Sequence, residues 1–198
     1  MIKNVIFDIG NVLLDFCWKD HIARFGFQGE KADRIAQAMM LGPIWPKLDL
    51  GLESDEDILE QFVAHTPELE QEIRLVFSDL STIVREYEGS VDWIESLKAR
   101  DYHTYYLSNY GERIRREASK ELSFLSHMDG GIMSYTVHLA KPDPAIYQTL
   151  LDRYGLKAEE CVFLDDTVRN VEAAQALGIA GIVVTSQEQA KKELETLL

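Results

Sequence analysis

Apolar and polar positions fall into two regimes along the chain. Residues 3–8 hold the run Val5-Ile6-Phe7 closing on Asp8, which reads as a buried strand. From about residue 16 the spacing turns helical for roughly seventy residues. His21 to Phe27 and Lys31 to Leu41 carry amphipathic stripes. Gly42-Pro43 breaks the second, leaving Trp45, between Pro43 and Pro46, in a loop. Ser54 opens the next helix, with Asp55, Glu56 and Asp57 in its first turn and Ile58, Leu59 and Phe62 as its apolar stripe. Leu69, Ile73, Val76 and Phe77 continue helical spacing over 67–85, with no strand pattern interrupting the block.

Beyond this block the pattern alternates. Helices are predicted from Val91 to Arg100, Arg113 to Phe124, Pro144 to Arg153, Val168 to Leu177 and Gln187 to Leu197. Strands are predicted at Thr104 to Leu107, Ile132 to Ser134, Cys161 to Leu164 and Ile179 to Val184. Such alternation predicts an α/β fold, a Rossmann-like parallel sheet with helices packed against it. Residues 1–15 and 89–198 then form the core, and 16–88 a small helical cap inserted after the first strand, over that strand's carboxyl end.

A length of 198 residues suits one sizeable core plus a modest module. A net charge of −14 disfavours nonspecific binding to nucleic acid or to an anionic membrane. It does not exclude an anionic substrate, because a metal ion and one lysine can reverse the local field. Cys17 and Cys161 are too few for a disulfide framework. No signal peptide precedes Asp8 and no apolar run approaches a membrane span, so a soluble cytoplasmic protein is expected. With no extra apolar stripe, a monomer is expected. A flavin or nicotinamide site lacks its glycine fingerprint.

Four polar segments stand at the ends of strands or in loops, where open α/β sheets bind ligands. Asp8 is a candidate nucleophile: a carboxylate attacking phosphorus gives an aspartyl-phosphate that water then hydrolyses. A turn or cap role competes on position alone. The Ser108 hydroxyl can donate to a phosphoryl oxygen that Asn109 helps orient, or the pair can cap the helix after Gly111. Lys141, before Pro142, can offset charge on Asp8 and on the phosphoryl group. Asp165-Asp166 would repel without a counterion, and their hard oxygens suit Mg²⁺. The alternative for them is a solvated helix N-terminus. Thr167 and Asn170 are close enough to orient these aspartates.

In this order the segments resemble the haloacid dehalogenase superfamily, subfamily IA. The resemblance covers essentially the whole chain and implies a phosphatase. Asp8, with Ile9-Gly10-Asn11-Val12 behind it, matches the nucleophile motif, Ser108 the second-motif hydroxyl and Lys141 the third-motif lysine. Asp166 matches the metal-coordinating acid of the fourth motif, Asp165 is the extra acid beside it, and Asn170 stands where an outer acid often sits. Asp8, the Gly10 carbonyl and Asp166 would hold the metal, assisted by Asp165.

One position departs from the family pattern. Family phosphatases usually carry a second aspartate, the general acid and base, two residues after the nucleophile. Here that residue is Gly10, which cannot protonate a leaving group. A small bacterial subgroup that includes α-glucose-1-phosphate phosphatases shares this glycine, and a sugar 1-phosphate has an easier leaving oxygen. Asp15 is a substitute acid, a sugar-binding group or a cap of the helix near Asp20. Trp45 and Lys47, with Trp18, are candidate pocket residues of the cap; the structural alternatives are a core tryptophan and a solvated lysine. Asn11 and Asn109 complete the candidate substrate contacts. The leading expectation is a Mg²⁺-dependent hydrolase of a small phosphorylated metabolite such as glucose 1-phosphate. The alternatives are a metal-independent 2-haloacid dehalogenase, which generally has tyrosine at Gly10's position, and a non-catalytic binding protein on the same scaffold.

Overall fold

The computed structural model describes residues 1–198. Strand β1 (Asn4–Phe7) runs through a tight turn into the short β2 (Leu14–Phe16). Five helices follow: α1 (Trp18–Arg24), α2 (Gly29–Ala38), α3 (Trp45–Leu50), α4 (Asp55–His65) and α5 (Glu70–Phe77). The chain returns along β3 (Val84–Glu86), antiparallel to β2. It continues through α6 (Ser90–Lys98), β4 (His103–Ser108), α7 (Glu112–Glu117), β5 (Gly130–Met133), α8 (Pro144–Tyr154), β6 (Cys161–Asp165), α9 (Val168–Ala176), β7 (Ala180–Val183) and α10 (Gln187–Leu194).

The expected parallel α/β architecture is present. Five strands form one sheet in the order β5-β4-β1-β6-β7, every neighbouring pair parallel. β1 lies in the middle, so both its faces are covered and its run is continuously apolar rather than alternating. Val5 and Phe7 face one hydrophobic cluster and Ile6 the other. The first of these clusters continues without a break into the helices of the insertion, through Trp45, Phe62 and Phe77. From β1 the chain builds β4 and β5 on one side, then crosses to build β6 and β7 on the other. That reversal opens a crevice at the carboxyl ends of β1 and its neighbours.

Three local expectations are corrected. β2 and β3 bracket the block read as wholly helical, with β3 falling inside its end: they pair Leu14 with Glu86 and Phe16 with Val84 where the chain enters and leaves the helices. Three residues each are too few to show a period of two. Trp45 is not in a loop but begins α3, with Pro46 in the helix's first turn, where its missing N–H costs nothing. The stretch from Arg113 to Phe124 is not one helix. α7 ends at Glu117, and a 3-10 segment, Ser119–His127, follows with non-helical backbone at Leu122. Tertiary ties impose that break: Glu121 accepts the Glu86 N–H and the Ser123 hydroxyl donates to Glu86. Ser54 caps α4 as expected, accepting the Asp57 N–H at 3.1 Å. No helix is long and apolar enough to cross a membrane.

Candidate active site

The sheet carries three of the four polar segments to one edge. Asp8 follows β1, Ser108 ends β4 and Asp165 ends β6. Lys141 arrives on the loop between β5 and α8. Asn109 clasps this loop at both ends of one residue: its Oδ1 accepts the Lys141 N–H at 2.7 Å and its Nδ2 donates to the Lys141 carbonyl at 3.0 Å. Ser108 and Asn109 therefore do not cap the helix beginning at Glu112; Gly111 stands at that position.

Lys141 is almost wholly buried. Its ammonium contacts Asp8 Oδ1 at 2.9 Å and Asp165 Oδ2 at 2.6 Å. Burial works to lower its pKa, but Asp8 and Asp165 outweigh it and the net shift is upward. Asp8 is also buried, and burial raises its pKa to about 7 despite Lys141, with Asp165 adding repulsion. Asp165 is fully buried. Besides Lys141, it accepts the Thr167 N–H at 2.7 Å and the Asn170 amide on both oxygens, at 3.1 and 3.0 Å. A solvated helix N-terminus does not describe it. Asp166 is held by the Asn11 amide at 2.8 Å and the Thr167 hydroxyl at 3.2 Å. Asn11 reaches it from a left-handed backbone conformation, φ 56°, which asparagine tolerates better than most residues.

One oxygen each from Asp8, Asp165 and Asp166 lies within 4.8 Å of the others. Three carboxylates against one lysine leave negative charge in a buried place, which is costly unless a cation offsets it. The all-oxygen donor set fits a hard divalent ion of magnesium's kind. The same ion would relieve the repulsion that helps push Asp8 toward its neutral form.

Asp8, Gly10, Asn11, Ser108, Asn109, Trp45 and Asp166 line one cavity of about 250 Å³, together with Phe16, Asp49, Tyr110 and Thr167. That volume lies at the small end for ligand sites and suits a compact metabolite. Trp45 is both a cavity wall and a packed residue, 6.1 Å from Phe16 and 6.2 Å from Phe62 between ring centroids. Three candidates stand apart from the cavity: Trp18, Asp15 and Lys47. Asp15 accepts the Cys17 thiol at 3.2 Å. Burial, then Asp15, push that thiol's pKa up to about 12. Lys47 donates to Gln61 at 2.7 Å, with Glu53 3.6 Å away on the surface. Asp49, in α3, is a cavity residue that sequence reasoning passed over. Its one signal is a carboxylate set between Leu48 and Leu50, shortly after Pro46.

Fold and site together define a protein with a Rossmann-like parallel α/β core and a buried aspartate facing a carboxylate cation site. The family model for haloacid dehalogenase-like hydrolases matches residues 2–178, and the chain belongs to that family. The mouse protein acyl-CoA dehydrogenase family member 10 is 31% identical over 99% of this chain, which spans only 19% of that relative's length. The phosphorylated carbohydrates phosphatase of Thermotoga maritima is 30% identical over 71% of this chain and 63% of its own. A solved HAD family enzyme from Bacteroides thetaiotaomicron, in complex with magnesium and inorganic phosphate, superposes with a TM-score of 0.72. It is 22% identical and covers 94% of this chain and 96% of its own, a likeness that establishes the fold and not the reaction.

Proposed function

We propose that the protein is a Mg²⁺-dependent phosphomonoester hydrolase of subfamily IA, acting through an aspartyl-phosphate on Asp8. The substrate would be a small sugar phosphate such as glucose 1-phosphate. The observation that carries this reading is the buried cluster in which Lys141 bridges Asp8 and Asp165 beside Asp166. A dehalogenase needs no such cation site. Asp8, the Gly10 carbonyl and Asp166 would hold the ion, with Asp165 contributing charge behind them. The bound ion would neutralise the phosphoryl oxygens and keep Asp8 ionised.

Asp8 attacks phosphorus in line with the leaving oxygen. Lys141 and the Ser108 hydroxyl stabilise the charge on the phosphoryl oxygens. Asn109 fixes the height of Lys141, and Asn170 and Thr167 fix Asp165 behind it. Residues 16–88 act as a cap, excluding bulk water and offering Trp45 to the sugar face. The small cavity and the likeness to a phosphorylated carbohydrates phosphatase support a sugar phosphate. Phosphate release from a panel including glucose 1-phosphate and glucose 6-phosphate, with Mg²⁺ and with EDTA, tests the reading. Release only with Mg²⁺, favouring the 1-phosphate, is expected. Equal release in EDTA, or none from any substrate by folded protein, refutes it.

A further inference from the structure

Every acid at the edge of the sheet is already committed. Asp8 faces Lys141, Asp165 accepts from three donors, and Asp166 is held by Asn11 and Thr167. Asp15 is turned toward Cys17. Gly10 has no side chain. Asp49 differs from all of these. It lines the same cavity as Asp8, and its carboxyl engages neither a hydrogen-bond donor nor an ion-pair partner.

We propose that Asp49 gives a proton to the departing alcohol and then takes one from the hydrolytic water, so that the cap supplies the acid that Gly10 withholds from the core. This rests on the phosphatase reading above. A general acid must be held in place, and the end of α3 is pinned to the segment that follows β5. The buried Ser134 hydroxyl donates to the Asp49 carbonyl and also accepts the Tyr110 N–H. His138 Nδ1 meets the Leu50 carbonyl at 2.9 Å. Gly51 closes the helix at φ +63°, where an added Cβ would lie 2.9 Å from that of Tyr135. Separately, burial and then the charge of Asp8 raise the Asp49 pKa to about 7, with Lys141 opposing. A carboxyl near that value can hold a proton and release it at neutral pH.

The bookkeeping of the reaction closes. In the first step an Asp8 oxygen bonds to phosphorus, the bond to the leaving oxygen breaks, and the Asp49 proton passes to that oxygen. In the second step Asp49, now a carboxylate, takes a proton from water as the water oxygen bonds to phosphorus. The Asp8–phosphorus bond breaks, giving inorganic phosphate and the starting enzyme.

The test is a series of aryl phosphates running from p-nitrophenyl to p-methoxyphenyl phosphate, with Mg²⁺, for the wild-type protein, Asp49→Asn, Asp49→Glu and Asp8→Asn. A p-nitrophenolate leaving group needs no proton; p-methoxyphenolate does. Asp49→Asn is expected to lose roughly 10²–10⁴-fold in phenol release from the p-methoxyphenyl ester. It should still release about one equivalent of p-nitrophenol per enzyme in a fast burst before slow turnover. Asp49→Glu should keep the shallow leaving-group dependence of the wild type. An unaltered dependence in Asp49→Asn, an equal loss on every ester without a burst, or a steep dependence in Asp49→Glu overturns the proposal. If instead the wild-type protein releases no phenol, or Asp8→Asn matches it, the phosphatase reading itself has failed.

Discussion

Replacing the nucleophile by its neutral isostere should stabilise the metal-free protein, and the size of the effect follows from the burial of Asp8. Its pKa stands at about 7 in the folded chain against 3.8 for an unperturbed aspartate. Between those values the folded state holds a proton that the unfolded state has released. Stability therefore falls as pH rises through that window, and the full penalty is present above it. Three units at about 1.4 kcal/mol each set a ceiling of about 4 kcal/mol. Asp8→Asn removes this penalty, which is already net of the attraction between Asp8 and Lys141, and relaxation of the site around the ionised carboxylate makes the gain smaller than the ceiling. The net expectation in EDTA at pH 8 is a stabilisation of about 2–4 kcal/mol. It should shrink by up to about 1.4 kcal/mol per unit toward pH 4. Urea unfolding of both proteins across pH 4–8 measures it directly. Mg²⁺ at pH 8 should raise the stability of the wild type much more than that of the variant. A variant no more stable than wild type at pH 8 in EDTA, or a difference independent of pH, would refute the electrostatic account of the cluster.

Other expectations follow from single contacts. Asn109→Ala removes both bonds to the Lys141 main chain; steady-state assays should show kcat falling more than KM rises, with unfolding easier by about 1–3 kcal/mol. Trp45→Ala should cost about 3–5 kcal/mol in chemical denaturation, because the ring is packed between Phe16 and Phe62. The same variant should raise KM for a sugar phosphate more than for p-nitrophenyl phosphate, whose own aromatic ring fills the space.

The parallel sheet was legible because its central strand is buried on both faces and therefore written as an unbroken apolar run. The end of each strand could then be read as a place for chemistry, which is why Asp8, Ser108 and Asp165 were found as a set. β2 and β3 were not legible, since three-residue strands carry too little pattern to outweigh the helices on either side. α3 was hidden for a related reason. Pro43, Pro46 and Gly51 look like loop punctuation, yet Pro46 sits where a helix tolerates it and Gly51 ends the helix in the left-handed conformation. Losing that helix meant losing Asp49. Asp15, a near neighbour of Asp8 in sequence and one candidate for a substitute acid, is turned by its strand pairing toward Cys17 instead. Lys47 stood out as a charge in the right segment, but only the three-dimensional arrangement places it beside Gln61 and Glu53, outside the cavity.

The most direct measurement is to quench the protein with acid during turnover of a phosphomonoester in Mg²⁺ and map the phosphoryl group by peptide mass spectrometry. The account predicts an acid-stable, base-labile phosphoryl adduct on Asp8, present only with Mg²⁺ and absent from Asp8→Asn. Turnover in which the phosphoryl group is found on another residue, or in which Asp8→Asn still releases phosphate at the wild-type rate, would contradict it.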